Sequence, residues 1–497
     1  MAISPELAIV VFATGEKYES YIQPFISSLH DFFPPHDIIL FTDSKRIYDA
    51  ITIPCTASNF TEANLQRFPL ILREQARFQQ YKYIFLFDLD MLACQPVNNE
   101  EILGDGLTAT LHPMYPDSFE RRKESAACVV GHPTYFHCCP VGGATQEFLK
   151  LAKSAANGIE SDRKIGIIGA WWDESYVNHY FWKYPPAKIL TPSYCFPDLK
   201  YLVNPERWLS GNPKDFKPKI MHLEKGLPHN APQDALIAIC TCDIDKYKER
   251  VQIQQETWIK DARMRGWNIE IMTGARLGVS DDYLFLPVKT KAIVQWALDR
   301  GYEHLLKMDD DGYLVASRLA IPPYEYAGIV FSPQDSGKPE MGIPDYPSGT
   351  FPYSFASGGG YWLGKRAMQI VASSDVDDCW AEDRWVGDIL GKAGITLASL
   401  PDYVFFESLD SFFLNRYRIE HELEVLPDNT VFQVAQNESA PSTSRMVAVA
   451  ILVRRQSKYL PLIDIHALLP HLNKLTAITQ VDSPASMKWL HQMLHNA

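Results

Sequence analysis

Two short acidic motifs stand where apolar runs of the sequence end, and carboxylates in this arrangement can bind a divalent cation. Phe87-Asp88-Leu89-Asp90 closes one such run, and Met308-Asp309-Asp310-Asp311 closes another. Two carboxylates separated by one residue can turn toward one hard cation, and Mg²⁺ and Mn²⁺ prefer oxygen ligands. A cation held there could neutralise a diphosphate and act as a Lewis acid. Taken alone, either motif could equally be a solvated turn, because aspartate favours turns.

Apolar runs that alternate with helical stretches must position these acids. Strands alternating with helices predict an α/β fold with parallel sheets, and ligand sites in open α/β sheets lie at the carboxyl ends of strands. The same plan of an opening strand, two further strands and a terminal acidic motif occurs twice. The predicted strands are Leu7–Thr14, Asp37–Thr42 and Tyr83–Phe87, followed by Ala235–Cys240, Ile269–Met272 and His304–Met308.

Chain length and two polar segments predict the domain organisation. A chain of 497 residues is longer than one hydrophobic core usually supports. The segment Lys225–Asp234 contains two prolines and a glycine and is typical of a linker, and Gln436–Ser444 is polar. We therefore predict one domain over residues 1–228, a second over 229–434, and a C-terminal extension over 435–497 to which no function is assigned.

Composition excludes several classes of protein. A formal charge of −13 disfavours nonspecific binding to nucleic acid, which depends on basic surface. The N-terminus lacks the pattern of a signal peptide, and the apolar run Met446–Val453 is far shorter than the ~20 residues that span a bilayer. Nine cysteines without regular spacing favour a reducing compartment. The expectation is a cytoplasmic protein without a transmembrane segment; its oligomeric state is not predicted.

The first half of the sequence, from residue 7 to about 230, resembles glycosyltransferase family 6, which contains the blood-group A/B transferases and α1,3-galactosyltransferase. The resemblance implies a GT-A fold, a UDP-sugar donor, a glycan or glycoconjugate acceptor and Mn²⁺ or Mg²⁺ as cofactor. The matching motifs occur in order: Val11-Phe12-Ala13-Thr14 with Tyr18, Phe41-Thr42-Asp43, Phe87–Met91, Thr110–Pro113, Phe119–Arg122, Gly142-Gly143, Asn157–Glu160 and Trp172–Asn178.

The resemblance also implies roles for individual residues of this half. Glu174 matches the proposed nucleophile of a transfer that retains anomeric configuration, by either a covalent or a same-face ion-pair route. Without the resemblance, Asp173 and Glu174 could simply be a helix start. The other implied roles are donor contacts by Phe12, Thr14, Tyr18, Asp88, His137, Cys139 and Asp173, acceptor contacts by His112 and Trp171, and metal binding by Asp88 and Asp90; diphosphate contacts by Lys225 and His229 match only loosely.

Donor choice in this family follows a short segment before the paired glycines. Here the segment is His137-Cys138-Cys139, similar to the His-small-small version of the galactose-using enzymes. Cysteine is bulkier than glycine, so space for an N-acetyl group is reduced. UDP-galactose is the predicted donor, with UDP-GalNAc as the alternative.

Residues 235 to about 425 resemble glycosyltransferase family 31, the β1,3-galactosyltransferase and Fringe group. This family inverts configuration, so a carboxylate must accept the proton of the attacking hydroxyl. The resemblance implies that Asp383 is this base, with Glu382 as the alternative. The motifs that carry it are Arg250 with Thr257-Trp258, Asp282-Tyr283, Leu286 with Lys289–Lys291, Lys307–Asp311, Ser357–Tyr361 and Glu382–Gly387. The implied donor contacts are Arg250, Asp282, Lys289, Asp309 and Asp310, and the implied metal ligands are Asp309 and Asp311.

The sequence therefore predicts two GT-A-type glycosyltransferase domains in tandem. The first would transfer galactose in α1,3 linkage with retention. The second would transfer galactose or an N-acetylhexosamine in β1,3 linkage with inversion, in a successive step of glycan synthesis. Two alternatives stay open: one half is a carbohydrate-binding module without catalysis, or paired carboxylates hydrolyse glycosides. Adjacent acids after apolar strands suit a metal better than two acids flanking a sugar.

Overall fold

The structure is a computed structural model that divides into two compact units, Met1–Ala231 (unit 1) and Pro232–Ala497 (unit 2). The predicted boundaries after residues 228 and 434 stay predictions. Lys225 and His229 lie outside the described residues. The structure describes residues 5–115, 117–197, 215–223, 231–334, 346, 349–376, 379–405, 476–479, 481, 487–488 and 490–491.

All three strands predicted for unit 1 are present, with bounds that differ by at most one residue. Their side chains are almost entirely buried, as expected for sheets covered on both faces. The strands are β1 (Leu7–Ala13), β2 (His36–Thr42), β3 (Ile51–Pro54), β4 (Tyr83–Phe87), β5 (Met91–Ala93), β6 (Leu107–Leu111), β7 (Phe136–Ala144), β8 (Lys188–Leu190), β9 (Phe196–Pro197) and β10 (Ile220–His222). The helices are α1 (Glu16–Phe32), α2 (Phe60–Leu65), α3 (Arg67–Arg73), α4 (Gln75–Phe78), α5 (Asn99–Ile102), α6 (Thr145–Lys164) and α7 (Trp172–Lys183), with a 3₁₀ turn at Pro192–Cys195.

The main sheet of unit 1 has the strand order β3-β2-β1-β4-β7-β6-β8. Strands β3, β2, β1 and β4 run parallel, but β7 runs antiparallel to both β4 and β6. The predicted parallel pairing therefore holds for β3, β2, β1 and β4, but the sheet as a whole is mixed, because β6 and β7 pair as antiparallel neighbours and need no helical crossover. Gly142 lets β7 lie close to β4, since a Cβ there would overlap the carbonyl oxygen of Ile84. A smaller sheet has the order β5-β10-β9.

Unit 2 also contains the three strands predicted for it, again with bounds that differ by at most one residue. Its strands are β11 (Ala235–Cys240), β12 (Asn268–Met272), β13 (His304–Asp309), β14 (Tyr313–Leu314), β15 (Tyr326–Phe331), β16 (Phe355–Gly364), β17 (Ala398–Ser399), β18 (Tyr403–Phe405) and β19 (Ala477–Thr479). Its helices are α8 (Asp245–Gln254), α9 (Lys260–Met264), α10 (Gly274–Leu277), α11 (Leu286–Asp299), α12 (Lys365–Ser373) and α13 (Glu382–Lys392), with a π-helical segment at Gln255–Ile259 and a 3₁₀ turn at Tyr283–Phe285.

The main sheet of unit 2 has the order β12-β11-β13-β16-β15-β17. Strands β12, β11 and β13 run parallel and β16 runs antiparallel to β13, so this sheet is also mixed rather than parallel. The arrangement β2-β1-β4-β7-β6-β8 of unit 1 thus has the same directions and connections as this sheet. Asp88 follows β4 and Asp309 ends β13, so both acidic motifs lie at the same place in their own sheets, as the sequence predicts.

One strand of the predicted C-terminal extension belongs to a sheet of unit 2. Strand β19 pairs with β14 on one side and with β18 on the other. The N–H of Val481 also donates a 2.7 Å hydrogen bond to the carbonyl oxygen of Asp311. Within the described residues, none of the helices combines the length and the apolar composition that crossing a bilayer requires.

Candidate active site

A cavity of about 380 Å³ opens in unit 1 at the ends of β1 and β4. It brings together residues that are far apart in the sequence, including both aspartates of the first motif and the Asp-Glu pair of α7. Among the predicted residues, those that line it are Phe12, Thr14, Tyr18, Asp88, Asp90, His112, His137, Trp171, Asp173 and Glu174. Cys138 and Trp172, which stand in the matched motifs without an individual role, line it too, and the prediction missed Phe60, Asn64, Arg67, Tyr115, Cys195 and His222, which line it as well.

The first turn of α7 carries the two carboxylates Asp173 and Glu174 into the cavity. Trp172 begins this helix with a φ of 45°, a left-handed conformation that costs a bulky residue about 1–3 kcal/mol. Its indole packs edge-to-face on Phe60, with ring centroids 4.9 Å apart. Further along the helix, the side-chain amide of Asn178 donates to the carbonyl of Phe136 and accepts from its N–H, both at 2.8 Å. These contacts fix the start of α7 against β7.

Glu174 is held by two donors from the other wall of the cavity. The Tyr135 hydroxyl donates to Oε1 at 2.6 Å, and the backbone N–H of Cys138 donates to Oε2 at 2.8 Å. Tyr135 is buried, and burial with the nearby Glu174 charge raises its pKa, so the phenol remains a donor. The structure therefore fixes both oxygens of the predicted catalytic carboxylate.

Arg67, at the start of α3, connects the acidic motif to α7. Its guanidinium lies 2.8 Å from Oδ1 of Asp88 and 3.5 Å from Oδ2 of Asp173. Burial raises the pKa of Asp173 to about 6, while Arg67 opposes the rise and Asp88 adds to it. Nothing in the sequence around Arg67 points to this role, because its importance comes only from the approach of α3 to the sheet.

The second aspartate of the motif, Asp90, pairs with a histidine from β10. His222 Nε2 lies 3.2 Å from Oδ1 of Asp90. One ligand atom each from Asp88, Asp90 and His222 lies within 4.8 Å of the others. Two carboxylates and one imidazole are a suitable donor set for Mn²⁺, so these residues fit the predicted cation. His222 lies just upstream of Lys225 and His229, which match the family's basic tail only loosely.

Three histidines line the cavity, and their environments differ. Burial, followed by the charges of His137 and His222, lowers the pKa of His112 well below its usual value. His112 Nδ1 accepts from the N–H groups of Met114 and Tyr115, at 3.1 Å each, which fits a neutral ring. Burial alone would lower the pKa of His137, but the nearby Cys195 and Glu174 raise it to about 9.

Aromatic rings line the cavity at two places. Phe12 stacks on Phe41 with ring centroids 4.5 Å apart and an interplanar angle of 10°, which presents a flat apolar surface beside Thr14. Tyr115 and Trp171 stack at 5.8 Å, and both are more than one-third exposed. Flat exposed rings of this kind can pack against planar or apolar faces of a ligand.

Cys139 differs from the other predicted residues of unit 1, since it does not line the cavity. It is fully buried, and its Sγ accepts a 3.7 Å contact from Nη1 of Arg67. The neighbouring Cys138 does line the cavity, and its thiol lies 3.7 Å from Oδ2 of Asp173. Of the two cysteines in the segment that follows His137, Cys138 is therefore the one placed to meet a ligand.

In unit 2, a buried lysine joins the acidic motif to the predicted catalytic pair. Lys307 Nζ lies 2.8 Å from Oδ1 of Asp309 and 2.8 Å from Oε1 of Glu382. Glu382 also accepts a 2.8 Å hydrogen bond from the Tyr361 hydroxyl. Asp383 follows it in the first turn of α13 and accepts from the N–H of Arg384 at 2.8 Å. Burial raises the pKa of Asp383, which improves a carboxylate as a proton acceptor.

The other residues predicted for unit 2 include two basic side chains, each of which forms an ion pair with aspartate, and one aspartate with a capping contact. Arg250 Nη1 lies 3.3 Å from Oδ1 of Asp310 and 3.7 Å from Oδ2 of Asp311. Lys289 is buried and pairs with Asp281, the neighbour of the predicted Asp282. Asp282 is exposed and caps the Tyr283–Phe285 turn by accepting from the N–H of Leu284 at 2.9 Å. The structure gives Asp282 a local capping contact and leaves its donor contact a prediction.

Comparisons with known proteins concern the first half of the chain. Residues 4–206 match the model of glycosyltransferase family 6. Human globoside alpha-1,3-N-acetylgalactosaminyltransferase 1 is 29% identical over 217 residues, which are 39% of this chain and 62% of that protein. The O-antigen biosynthesis glycosyltransferase WbnI of Escherichia coli is 29% identical over 208 residues, which are 38% of this chain and 87% of that protein. Human alpha-1,3-galactosyltransferase 2 is 37% identical over 84 residues, which are 16% of this chain and 25% of that protein.

These matches confirm the resemblance of the first half at the level of the family. The chain spans less than two thirds of the length of the human globoside relative, at 62%. The family match ends at residue 206, and the resemblance of unit 2 to family 31 stays a prediction. The mixed α/β sheet of unit 1 is consistent with a GT-A-like fold, and the matched motifs line its cavity. The N-terminal region of this chain, residues 4–206, is therefore a member of glycosyltransferase family 6.

Proposed function

We propose that unit 1 transfers galactose from UDP-galactose to a glycan or glycoconjugate acceptor, with retention and in α1,3 linkage. The observation that carries this proposal is the position of Glu174. Its carboxylate lines the same cavity as Asp88 and Asp90, with each oxygen held by a separate donor. Relatives whose printed names describe α-1,3 sugar transfer support the linkage type.

Retention requires the acceptor to bond to the anomeric carbon on the face that the diphosphate leaves. On the opposite face, a carboxylate either forms a covalent bond to that carbon or stabilises its positive charge. In the covalent route, the bond between the anomeric carbon and the diphosphate oxygen breaks and a bond to Glu174 forms. The acceptor hydroxyl then displaces the Glu174 carboxylate and passes its proton to an oxygen of the departed diphosphate. In the ion-pair route, ionised Glu174 stabilises positive charge on the sugar. Both routes need the Glu174 carboxylate in a fixed position, and the Tyr135 hydroxyl and the Cys138 N–H each hold one of its oxygens.

The cation and the acceptor have separate places in this proposal. Asp88 and Asp90, with His222 beside them, would hold Mn²⁺, which when bound neutralises charge on the departing diphosphate. The guanidinium of Arg67 balances Asp88 and Asp173 and fixes their orientation. The stacked pair Tyr115 and Trp171 provides an exposed aromatic surface for the acceptor sugar.

The donor sugar of this proposal is galactose, and UDP-GalNAc is the alternative donor. Cys138 lines the cavity, and a thiol there occupies more space than a glycine would. Among the relatives, one printed name specifies N-acetylgalactosamine and another galactose. Replacement of Cys138 by glycine should shift the ratio of rates toward UDP-GalNAc, and an unchanged ratio would remove Cys138 from the specificity argument.

We further propose that unit 2 transfers galactose or an N-acetylhexosamine with inversion, in β1,3 linkage. The supporting observation is the buried ion pair through which Lys307 joins Asp309 to Glu382, next to Asp383. Asp383 would accept the proton of the acceptor hydroxyl as that oxygen attacks the anomeric carbon and the diphosphate leaves. Successive action of the two units on one glycan follows from their fusion, since tethering raises the local concentration of the second site.

Unit 1 is tested by a screen of UDP-sugars and simple acceptors with and without Mn²⁺. The variant Glu174→Gln should lose the retaining activity, whereas Glu160→Gln should keep it, because Glu160 is exposed and pairs only with Lys164. Product stereochemistry is read by NMR from the anomeric coupling. Retention of full activity by Glu174→Gln would refute the assignment of this carboxylate.

Unit 2 is tested in the same screen with Asp383→Asn and, as its control, Asp299→Asn. Asp299 is exposed at the end of α11, where its Oδ1 accepts a 2.7 Å hydrogen bond from the side-chain amide of Gln295. Asp383→Asn should abolish an inverting activity and leave the retaining one. If the wild-type chain shows only the retaining activity with every donor, unit 2 is the noncatalytic module of the alternative hypothesis. If neither unit accepts the product of the other, successive action is wrong.

A further inference from the structure

A second group of metal-binding side chains lies beside the acidic pair of unit 1, and it has a different chemistry. His137 from β7, Cys195 from the Pro192–Cys195 turn and His222 from β10 each place one ligand atom within 4.8 Å of the other two. Cys195 Sγ lies 3.9 Å from Nδ1 of His222. His137 and Cys195 are buried, and His222 is partly buried. Three separate elements therefore converge on one point.

This group suits a softer cation than the aspartates do. One thiolate and two imidazoles are typical ligands of Zn²⁺, whereas Mn²⁺ and Mg²⁺ prefer carboxylates. With Zn–S near 2.3 Å and Zn–N near 2.0–2.1 Å, tetrahedral ligands lie roughly 3.5 Å apart. The observed 3.9 Å between Cys195 and His222 is close to that spacing. Three protein ligands leave the fourth position of the ion for water.

The other nitrogen of His222 is also held in the way that zinc ligands usually are. Its Nε2 lies 3.2 Å from Oδ1 of Asp90. A histidine that binds a metal through one nitrogen commonly donates the N–H of the other to a carboxylate, which fixes the ring and its tautomer. Asp90 would therefore orient His222 toward Cys195, in addition to its place in the acidic pair.

We propose that His137, Cys195 and His222 form a Zn²⁺ site, and that Zn²⁺ bound there inhibits the cation site at Asp88 and Asp90. Binding replaces the thiol proton of Cys195 and any proton that makes the imidazole of His137 or His222 cationic, and these protons are released to solvent. With the metal on Nδ1, His222 carries its proton on Nε2 and donates to Asp90. That hydrogen bond occupies an oxygen that would otherwise face Mn²⁺. The binding step is independent of the proposed transfer activity; only the inhibition depends on it.

The binding step is tested on the full chain after removal of metals, with Co²⁺ as a spectroscopic substitute for Zn²⁺. Thiolate ligation gives a cobalt charge-transfer band in the near ultraviolet that carboxylate ligation does not give. The band should saturate at one equivalent and disappear when Zn²⁺ is added. It should be lost in Cys195→Ser and in His222→Asn, and kept in Cys128→Ser, whose thiol lies elsewhere in unit 1.

Two results would overturn the proposal: no charge-transfer band in the wild-type chain, or a band that survives Cys195→Ser. Circular dichroism of each variant shows whether loss of the band reflects unfolding, and His222→Asn gives a second, independent test. Inhibition is then measured as the Zn²⁺ concentration that halves transfer at saturating Mn²⁺, relative to the uninhibited rate of each variant. We expect this concentration to rise about 10- to 100-fold in Cys195→Ser. A band without inhibition would leave the Zn²⁺ site and refute its coupling to Asp90.

Discussion

The two acidic motifs lie at the same place in two sheets of the same strand order, yet their charges are balanced differently. In unit 1, the cations come from elsewhere in the fold, with Arg67 on α3 and His222 on β10. In unit 2, Lys307 stands on the motif's own strand, two residues before Asp309. The corresponding residue of unit 1, two before Asp88, is Leu86, which is fully buried.

This difference indicates how strongly each site depends on an added cation. The carboxylates of unit 1 share a cavity with an imidazole and form a cluster of three metal-binding side chains. Among the residues that the structure describes, the clusters of three such side chains all belong to unit 1. In unit 2, Lys307 and Arg250 already neutralise the acids. We infer that unit 1 binds a divalent cation more tightly than unit 2 does.

The largest expected effect comes from removing the metal ligands. Asp88→Asn with Asp90→Asn should lower the rate of transfer by unit 1 about 10³-fold or more, because Lewis-acid stabilisation is worth several kcal/mol. Asp309→Asn with Asp311→Asn should affect only the activity of unit 2. The measurement is kcat at increasing Mn²⁺, with both activities assayed separately. Equal Mn²⁺ dependence of the two activities in the wild-type chain would contradict the inference that unit 1 binds a divalent cation more tightly than unit 2.

The next effect concerns the cations that balance the acids. Lys307→Met should destabilise unit 2 by about 3–5 kcal/mol, because it leaves Glu382 buried without its charge partner. When Mn²⁺ is present, Arg67→Met should destabilise unit 1 by less than Lys307→Met destabilises unit 2, because Mn²⁺ can neutralise Asp88 in place of the arginine. Hydrogen exchange of peptides from β13 and β4 measures each unit separately. The control is Lys365→Met, since its exposed pair with Glu303 is worth only about 0–1 kcal/mol.

A smaller effect is expected from the two phenols that donate to the carboxylates. Tyr135→Phe removes a donor from Glu174 and should lower kcat of unit 1 by roughly 10- to 100-fold, since hydrogen bonds to charged groups are worth about 1.5–3 kcal/mol. Tyr361→Phe removes the donor from Glu382 and should mainly reduce stability. Tyr81→Phe is the matched control, because its hydroxyl donates to Asp37 outside the cavity. A fall in kcat as large for Tyr81→Phe would show that the effect is structural.

Much of the fold could be predicted from local patterns of the sequence. All six strands were found because each is a short apolar run before or after polar residues, and parallel strands buried on both faces are continuously apolar. The antiparallel direction of β7 and β16 could not be predicted, because direction depends on long connections that no local pattern records. Similarly, the pairing of β19 with β14 and β18 could not be predicted, because it joins segments far apart in the sequence.

The sequence predicted those residues of the candidate site that stand in ordered motifs, and it did not predict the residues outside them. Asp88, Asp90, Asp173 and Glu174 stand in motifs and meet in one cavity. Arg67 and His222 do not, although both contact the acids directly. A lone arginine on a helix has no distinguishing pattern, and its significance appears only when α3 packs beside the sheet. Charge partners of this kind are the part of an active site that sequence patterns leave out.

The position of β19 makes the integrity of unit 2 depend on a segment far along the chain. It is the central strand of the sheet β14-β19-β18, and β14 begins two residues after Asp311. A chain shortened at residue 434 would leave β14 and β18 as two unpaired edges, which are hazards for aggregation. Loss of this segment would accordingly remove the central strand of that sheet of unit 2. Only a chain that contains this segment therefore has the complete β14-β19-β18 sheet of unit 2.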